Sequence, residues 1–157
     1  MLTEDLYRRL SGADIESLAG LAIIVCTVDA EGWPHPAMLS YFEAAAVDRE
    51  NVRLAVYNDS RTCANMRDRA KATLILVDDN LVCYVRGSVA QLNPVMVAAS
   101  FNAMMNLRVD HVKFDAPPPD LEPGAFVTSG ITYRARTGAA LAQARAVLAE
   151  LRNPAVE

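Results

Sequence analysis

The chain has 157 residues, a length typical of one domain. Hydrophobic residues make up 52% and charged residues 22%, which is the composition of a folded protein and excludes a disordered chain. Fifteen Lys and Arg against nineteen Asp and Glu give a net charge of -4. Because proteins that bind nucleic acid are usually basic, we expect no nucleic-acid partner.

The sequence carries no strong signal for membrane insertion or export. Its longest apolar run, residues 18–28, is much shorter than the roughly 20 residues of a membrane-spanning helix. The chain starts Met-Leu-Thr-Glu-Asp, which is acidic where a secretory signal would be basic. The three cysteines are odd in number and lack close metal-ligand spacing, as expected of reduced thiols. We therefore predict a cytoplasmic protein with no membrane segment.

The first half of the chain predicts two short helices followed by a hairpin. Residues 4–10 and 13–19 have helical composition, with Thr3 and Ser11 as candidate N-caps. Residues 21–28 are apolar and β-branched, which predicts a buried strand. The turn sequence Asp-Ala-Glu-Gly at 29–32 joins it to a second strand at 34–42.

The middle of the chain predicts three strands and one helix. A third strand at 52–57 ends in Asn-Asp-Ser, and residues 61–69 then have helical composition. The near-continuous apolar run at 72–77 predicts a strand covered on both faces. Asp-Asp-Asn at 78–80 turns the chain into a fifth strand at 81–92.

The last third of the sequence predicts a helix, a proline-rich crossing, a strand and a final helix, in that order. Pro94 at a first helical position, with an apolar stripe formed by Val97, Phe101, Met104 and Met105, predicts a helix at 94–107. The proline-rich residues 116–124 predict an extended crossing, residues 125–134 a sixth strand, and Thr137 the cap of a final helix. Six short-looped strands predict an antiparallel barrel with flanking helices, a single α+β domain over residues 1–157.

The strongest candidate site is the Ser-Arg-Thr turn at residues 60–62, where a strand ends and a helix begins. Free backbone N–H groups and the helix dipole attract anions at such a point. Ser60 and Thr62 can donate hydroxyl hydrogen bonds, and the Arg61 guanidinium matches two phosphate oxygens. The alternative is that Ser60 is only an N-cap and Arg61 a solvated surface residue.

The order of these segments resembles the pyridoxamine 5'-phosphate oxidase-like family of FMN-binding split barrels. The resemblance covers roughly residues 15–92: the Asp-x-x-Gly-x-Pro turn after the first strand, the Ser-Arg-Thr turn, and the strands at 72–77 and 82–89. It implies a six-stranded split barrel that forms a homodimer with FMN in clefts between the subunits. It also implies an FMN-dependent oxidoreductase that acts on a small-molecule substrate.

The resemblance implies a specific set of cofactor-binding residues. Ser60 and Arg61 correspond to the family's phosphate turn, and Thr62 stands where the family usually has Lys, so one positive charge is lost. The isoalloxazine ring would lie along one segment of the second strand and the end of the third. The positions involved are Ala37, Met38, Leu39, Ser40, Val56 and Tyr57. The C-terminus lacks the family's Trp, so a genuine pyridoxamine-phosphate oxidase is not expected.

Several alternatives stay open. The cleft could take a deazaflavin, or the chain could be a non-catalytic flavin- or haem-binding module or a scaffold without cofactor. His35 is either a proton donor or a half-exposed strand residue, and His111 is a surface or interface residue. Cys63 is either an activated thiol in a first helical turn or a packing residue. The basic residues Arg67, Arg69 and Lys71 are interpreted as a solvated helix face. Neither histidine forms a metal-ligand set with the cysteines.

Overall fold

The computed structural model describes residues 1–153, which form a curled antiparallel sheet with flanking helices. The strands run in the spatial order β2-β1-β5-β6-β7-β4-β3. They are β1 (Ala22–Val28), β2 (Pro34–Ser40), β3 (Ala44–Ala46), β4 (Asn51–Tyr57), β5 (Lys71–Asp78), β6 (Leu81–Asn93) and β7 (Asn102–Phe114). The helices are α1 (Glu4–Leu10), α2 (Ile15–Leu18), α3 (Arg61–Arg69) and α4 (Gly138–Arg152). The predicted antiparallel split barrel is confirmed, with seven strands instead of six.

The core fills the concave face of this half-barrel. Ile23 and Val25 on β1, Leu74 and Leu76 on β5, and Val85 on β6 are fully buried at alternate positions of their strands. Burial of each such side chain stabilises the fold by about 1.5–3 kcal/mol. The prediction that residues 72–77 are covered on both faces is wrong, because only alternate residues of β5 are buried and Thr73, Ile75 and Val77 between them are half-buried.

Helix α3 closes one end of the half-barrel. It contacts strands from both ends of the sheet order and buries Thr62, Cys63, Asn65 and Met66. The Asn65 amide donates a hydrogen bond of 2.9 Å to the Thr27 hydroxyl on β1, which fixes the helix against the sheet. The end of β4 and the start of β5 are thereby held at one rim of the sheet.

The predicted helix at 94–107 is wrong, because residues 102–114 form β7 between β6 and β4. Of the apolar stripe that suggested a helix, Val97 and Phe101 are exposed and precede β7, whereas Met104 and Met105 are buried within it. From Met105 onward burial alternates as in a strand: Leu107 and Val109 are also buried, Asn106 is half-buried and Arg108 is exposed. Two neighbouring ladders supply hydrogen-bond partners along almost the whole of β7. Tertiary pairing therefore overrides the local helical signal.

The predicted strand at 125–134 is also wrong. Within the described residues this segment forms one isolated bridge, Leu21 with Thr132, and otherwise crosses the surface as an extended strap. The strap, residues 115–137, follows the ends of β1 and β5 through single backbone hydrogen bonds such as Asn80 N–H to the Val127 carbonyl. At Gly130 a Cβ atom would overlap the Val77 carbonyl oxygen, so only glycine permits this close approach.

The predicted final helix is confirmed as α4, which follows Thr137. It buries Ala144, Val147, Leu148 and Leu151. This face packs on β3 and β4 and covers the second end of the sheet. The strap and α4 together bring residues 115–152 back over the ends of β1 and β5 and onto β3 and β4.

Candidate functional site

A pocket of about 140 Å³ lies where the two edges of the curled sheet approach each other. β2 is the first strand in the sheet order and contributes one wall, while β4, next to the last strand, contributes the opposite wall. The start of α3 closes the third side. The lining residues are Ala37, Met38, Leu39, Glu43, Ala55, Val56, Tyr57, Ser60 and Thr62. We call this space the edge pocket.

The edge pocket brings together two sequence segments that were predicted to act jointly. Seven of the nine predicted residues line it: Ala37, Met38, Leu39, Val56, Tyr57, Ser60 and Thr62. Ser40 lies just beyond, at the buried end of β2, and Arg61 is the exposed first residue of α3. Neither of these two lines the pocket wall. The assignment of all nine residues as cofactor ligands stays a prediction.

The β2 wall offers backbone groups as well as side chains. β2 pairs with β1 along one side, from Ala22 opposite Ser40 to Val28 opposite Pro34. As the first strand of the sheet order, it turns its other edge toward the pocket. N–H and C=O groups at a strand edge can hydrogen-bond an extended or planar polar partner. The side chains at 37–39 then set the shape of this wall and leave the hydrogen bonding to the backbone.

The turn at 60–62 has the geometry of a capped helix start. The Ser60 Oγ accepts a hydrogen bond of 3.1 Å from the Cys63 N–H and donates one of 2.7 Å to the Tyr57 carbonyl. Ser60 therefore does serve as an N-cap. The N–H groups of the residues that follow it have no partner within the helix, which is the general property of a first helical turn. Apart from the Cys63 N–H, which the Ser60 hydroxyl caps, these groups and the exposed Arg61, adjacent in sequence to the lining residues Ser60 and Thr62, form an anion-attracting corner beside the edge pocket.

Glu43 is a pocket residue that the sequence did not indicate. Its carboxylate accepts hydrogen bonds from the Ser40 N–H at 2.6 Å and the Ser40 Oγ at 2.9 Å. Arg136, from the strap, donates to the Ser40 Oγ at 3.0 Å and lies 3.5 Å from the second Glu43 oxygen. Tyr133 adds a ring under this guanidinium, 5.6 Å from its centre. The strap thus reaches the wall of the edge pocket through one arginine.

Glu43 could not be identified from the sequence, because its partner Arg136 lies far away along the chain. Glu43 and Arg136 are separated by more than half of the chain, and each stands alone among unrelated neighbours. A single carboxylate before an Ala-Ala-Ala strand is weak information by itself. A Glu so close to an otherwise apolar run, in Tyr-Phe-Glu-Ala-Ala-Ala, is the one available signal that its charge has a partner.

The remaining candidates lie elsewhere. His35 sits on β2 opposite Thr27 and does not line the edge pocket, and His111 is an exposed residue of β7. Cys63 is fully buried, and burial raises the pKa of its thiol, so it is a packing residue and not an activated nucleophile. Burial also raises the pKa of Cys83, to about 11. All three cysteines are free thiols.

The described residues show neither a metal-binding cluster nor a membrane-spanning helix. In the described part of the chain, no group of three or more His, Cys, Asp or Glu side chains is arranged to hold a metal ion. Among the helices of residues 1–153, none is both long and apolar enough to cross a membrane.

Comparison with known proteins gives one curated relative at the level of sequence. No family model matches the chain. The uncharacterized protein YclD of Bacillus subtilis (strain 168) is 28% identical over 130 residues, which cover 83% of this chain and 81% of YclD. YclD is described as uncharacterized, so this similarity assigns no activity.

Solved structures show the fold. HupZ of Group A Streptococcus is 17% identical with a TM-score of 0.57, covering 83% of this chain and 100% of that one. A putative pyridoxamine 5'-phosphate oxidase of Lactobacillus delbrueckii is 16% identical with a TM-score of 0.57, covering 71% and 93%. An F420 reductase and HutZ, the heme storage protein of Vibrio cholerae, give TM-scores of 0.51 and 0.52. The F420 reductase is 16% identical, and the match covers 62% of this chain and 94% of the reductase. HutZ is 9% identical, and the match covers 73% of this chain and 95% of HutZ.

These proteins define a class of split barrels, and this chain has their fold. The resemblance predicted from the order of motifs is thus confirmed for the architecture. The same neighbours include a protein described as an F420 reductase and one described as a heme storage protein. A shared barrel therefore leaves the ligand to be argued from the edge pocket itself.

Proposed function

We propose that this protein is a cytoplasmic flavoprotein that binds FMN in the edge pocket, between two copies of the chain, and acts as an oxidoreductase on a small molecule. The observation that carries the proposal is that β2, the end of β4 and the start of α3 line one pocket. A planar ring with a phosphate tail needs both a strand edge, which can hydrogen-bond the ring, and a helix start, which can hold the phosphate. Solved split barrels described as a putative pyridoxamine 5'-phosphate oxidase and an F420 reductase support the choice.

The donors of the edge pocket fit the two ends of FMN. The first-turn N–H groups of α3 and the Arg61 guanidinium would hold the phosphate, with Thr62 adding no charge. The β2 backbone edge would hydrogen-bond the polar edge of the ring, while Met38 and Tyr57 would cover its apolar part. When bound, FMN supplies hydride or single-electron transfer. The residues of this chain bind it, orient it and exclude water from it.

The size of the edge pocket supports a second copy of the chain. Its volume of about 140 Å³ is smaller than the roughly 300–1,000 Å³ of a typical small-molecule site. Met38 and Tyr57 at its mouth are 66% and 61% exposed, and Phe101 lies edge-on to Tyr57 at 5.8 Å. Such adjacent apolar side chains are typical of a surface that a partner covers. We therefore propose a homodimer whose interface completes the site.

Arg61→Ala tests the phosphate corner. The variant should bind FMN more weakly by about 1.5–3 kcal/mol, the scale of one lost charge-assisted hydrogen bond. Fluorescence quenching of FMN during titration measures this loss. Arg8→Ala, which removes an equally exposed arginine from α1, is the matched control and should bind as the unchanged protein does. Equal FMN affinity in Arg61→Ala would remove the corner from the site.

Two further measurements test the rest of the proposal. The visible spectrum of the purified protein should show flavin bands, and size-exclusion chromatography with light scattering should show a dimer. Bleaching of the bound flavin by a reduced nicotinamide nucleotide under anaerobic conditions would identify an enzyme. A monomer that retains FMN would contradict the shared site.

The second candidate function is a non-catalytic flavin- or haem-binding module, including one that takes a deazaflavin. The structural similarity to HutZ, described as a heme storage protein, supports this second candidate. A Soret band in place of flavin bands, lost in His35→Ala or His111→Ala, would support haem binding. A flavin that reduced nicotinamide nucleotides do not bleach would support passive flavin binding.

A further inference from the structure

A second and larger groove, of about 710 Å³, crosses four neighbouring strands away from the edge pocket. It shares no lining residue with the edge pocket. Its walls are Cys26, Thr27, Val28, Arg69, Lys71, Ala72, Thr73, Arg86, Gly87, Asp110 and His111. We call it the strand groove. Three of these residues are permanent cations, in a chain whose net charge is -4.

The strand register explains why the cations converge. One row of paired residues crosses the four strands: Cys26 on β1, Thr73 on β5, Arg86 on β6 and His111 on β7. Because directly paired residues point to the same side, these four side chains share one face of the sheet. Lys71 lies two residues before Thr73 on that same face, diagonal to Arg86. Arg69, at the end of α3, is held at the rim by a 2.9 Å hydrogen bond from its Nε to the Asp29 carbonyl.

The strand groove has an excess of positive charge, because three cations line it against one carboxylate. The one acidic lining residue is Asp110, whose carboxylate already accepts a 2.7 Å hydrogen bond from the Ser88 hydroxyl. The ion pairs among residues 1–153 are Arg9 with Asp78, Arg136 with Glu43 and Arg145 with Glu16, and none involves the groove. Like charges on neighbouring strands destabilise a sheet, so this cluster has a cost that a bound anion would offset.

The backbone also departs from regularity at this point. The register of β6 and β7 shifts between Arg86 and Gly87, which leaves Asp110 unpaired as a bulge. Bulges re-aim side chains and are common beside functional sites. At Gly87 a Cβ atom would overlap the Arg108 carbonyl oxygen, so the tight crossing requires glycine. The bulge thus sits directly beside the arginine at the centre of the groove.

We propose that the strand groove binds a phosphorylated small molecule. The Arg86 guanidinium can hold two phosphoryl oxygens in its planar fork, Lys71 adds a point charge, and the half-buried Thr73 hydroxyl can donate a hydrogen bond. The groove volume lies within the roughly 300–1,000 Å³ range of small-molecule sites. The strand groove and the edge pocket share no lining residue, so a variant in the groove leaves the residues proposed to bind FMN unchanged.

Calorimetric titration of the full chain with inorganic pyrophosphate tests the proposal. Binding should be measurable at low ionic strength, tighter than binding of sulfate, and weaker as salt is added. Arg86→Gln and Lys71→Gln should each weaken it about tenfold, the loss of one charge-assisted hydrogen bond. Arg8→Gln is the matched control, with the same charge change at an exposed site on α1. FMN affinity should be the same in all these variants.

A second readout locates the ligand even if a variant folds poorly. Cys26 is the half-buried thiol that lines the groove, whereas Cys63 and Cys83 are buried. Pyrophosphate should slow alkylation of Cys26 in the unchanged protein. Undetectable pyrophosphate binding, equal affinity for sulfate, or alkylation of Cys26 at an unaltered rate would each overturn the proposal. None of these results would bear on FMN binding in the edge pocket.

Discussion

Removing the Glu43 carboxylate should destabilise both the fold and the edge pocket. In Glu43→Ala the Ser40 N–H and hydroxyl lose their acceptor and Arg136 loses its ion-pair partner. Hydrogen bonds to a charged group contribute about 1.5–3 kcal/mol each, and an exposed pair contributes less. The side chains of Glu43 and Arg136 are 17% and 30% exposed. We therefore expect a loss of about 2–4 kcal/mol of unfolding free energy.

Urea denaturation followed by circular dichroism measures this loss, together with the midpoint of thermal unfolding. A change of 1 kcal/mol shifts the midpoint by about 2–4 °C in a domain of this size, so a fall of about 5–15 °C is expected. Glu43→Gln keeps one acceptor for the Ser40 N–H and should lose roughly half as much. Glu31→Ala, at an exposed position of the β1–β2 turn, is the matched control.

The same variant separates two roles of the network. If the strap is held through Arg136, Glu43→Ala should also increase proteolytic cleavage within residues 115–137. FMN affinity should fall because the pocket wall formed by residues 37–43 loses its support. Stability within about 0.5 kcal/mol of the unchanged protein would refute the reasoning, since that is the range of neutral surface substitutions.

Three further predictions concern the turn, the strap and the N-terminal helix. Ser60→Ala removes the N-cap of α3 and should lower the unfolding free energy by about 1 kcal/mol, measured in urea. Gly130→Ala places a methyl group against the Val77 carbonyl and should detach the strap, measured by limited proteolysis. Burial raises the pKa of Asp78, but hydrogen bonds from Arg9 and the Asp79 N–H outweigh it, so the pKa lies below its ordinary value. Stability from Asp78 is therefore present above about pH 4 and lost as the pH falls further, a loss that Asp78→Asn should reduce.

Each of these has a result that would contradict it. Unchanged stability in Ser60→Ala would mean that the hydrogen bonds of the Ser60 hydroxyl do not hold the start of α3. A Gly130→Ala variant as resistant to protease as the unchanged chain would mean that the strap does not depend on its close approach to β5. An identical acid-unfolding curve for Asp78→Asn would show that the contact between Arg9 and Asp78 does not stabilise the fold.

Local patterns predicted most of the first 93 residues. The β-branched apolar runs of β1, β4 and β5 and the Ser60 cap of α3 each carry their signal within a few residues. Local propensity and burial agree at these positions, so the interpretation from sequence and the observed elements coincide. The edge-pocket segments on β2, β4 and α3 were predictable for the same reason, with the help of the family resemblance.

Long-range pairing decided the rest. Local pattern predicts an amphipathic helix at 94–107, but the ladders of β6 and β4 supply hydrogen-bond partners that make residues 102–114 the strand β7. The strap has strand-like composition, but it lies across the ends of β1 and β5 and makes only single backbone hydrogen bonds there. Neither outcome depends on the residues of the segment alone, because the competing hydrogen-bond partners come from elsewhere in the chain.

The sequence by itself determined that strands lie near 21–28, 34–42 and 52–57, that the first two form a hairpin, and that a capped helix start with an arginine follows the strand at 52–57. The tertiary structure alone decided that Glu43 meets Arg136, and that Lys71, Arg86 and His111 share one groove. The physical reason is distance along the chain. A cap or an apolar period is written in adjacent residues, whereas ion pairs and cross-strand rows exist only once the register has been set.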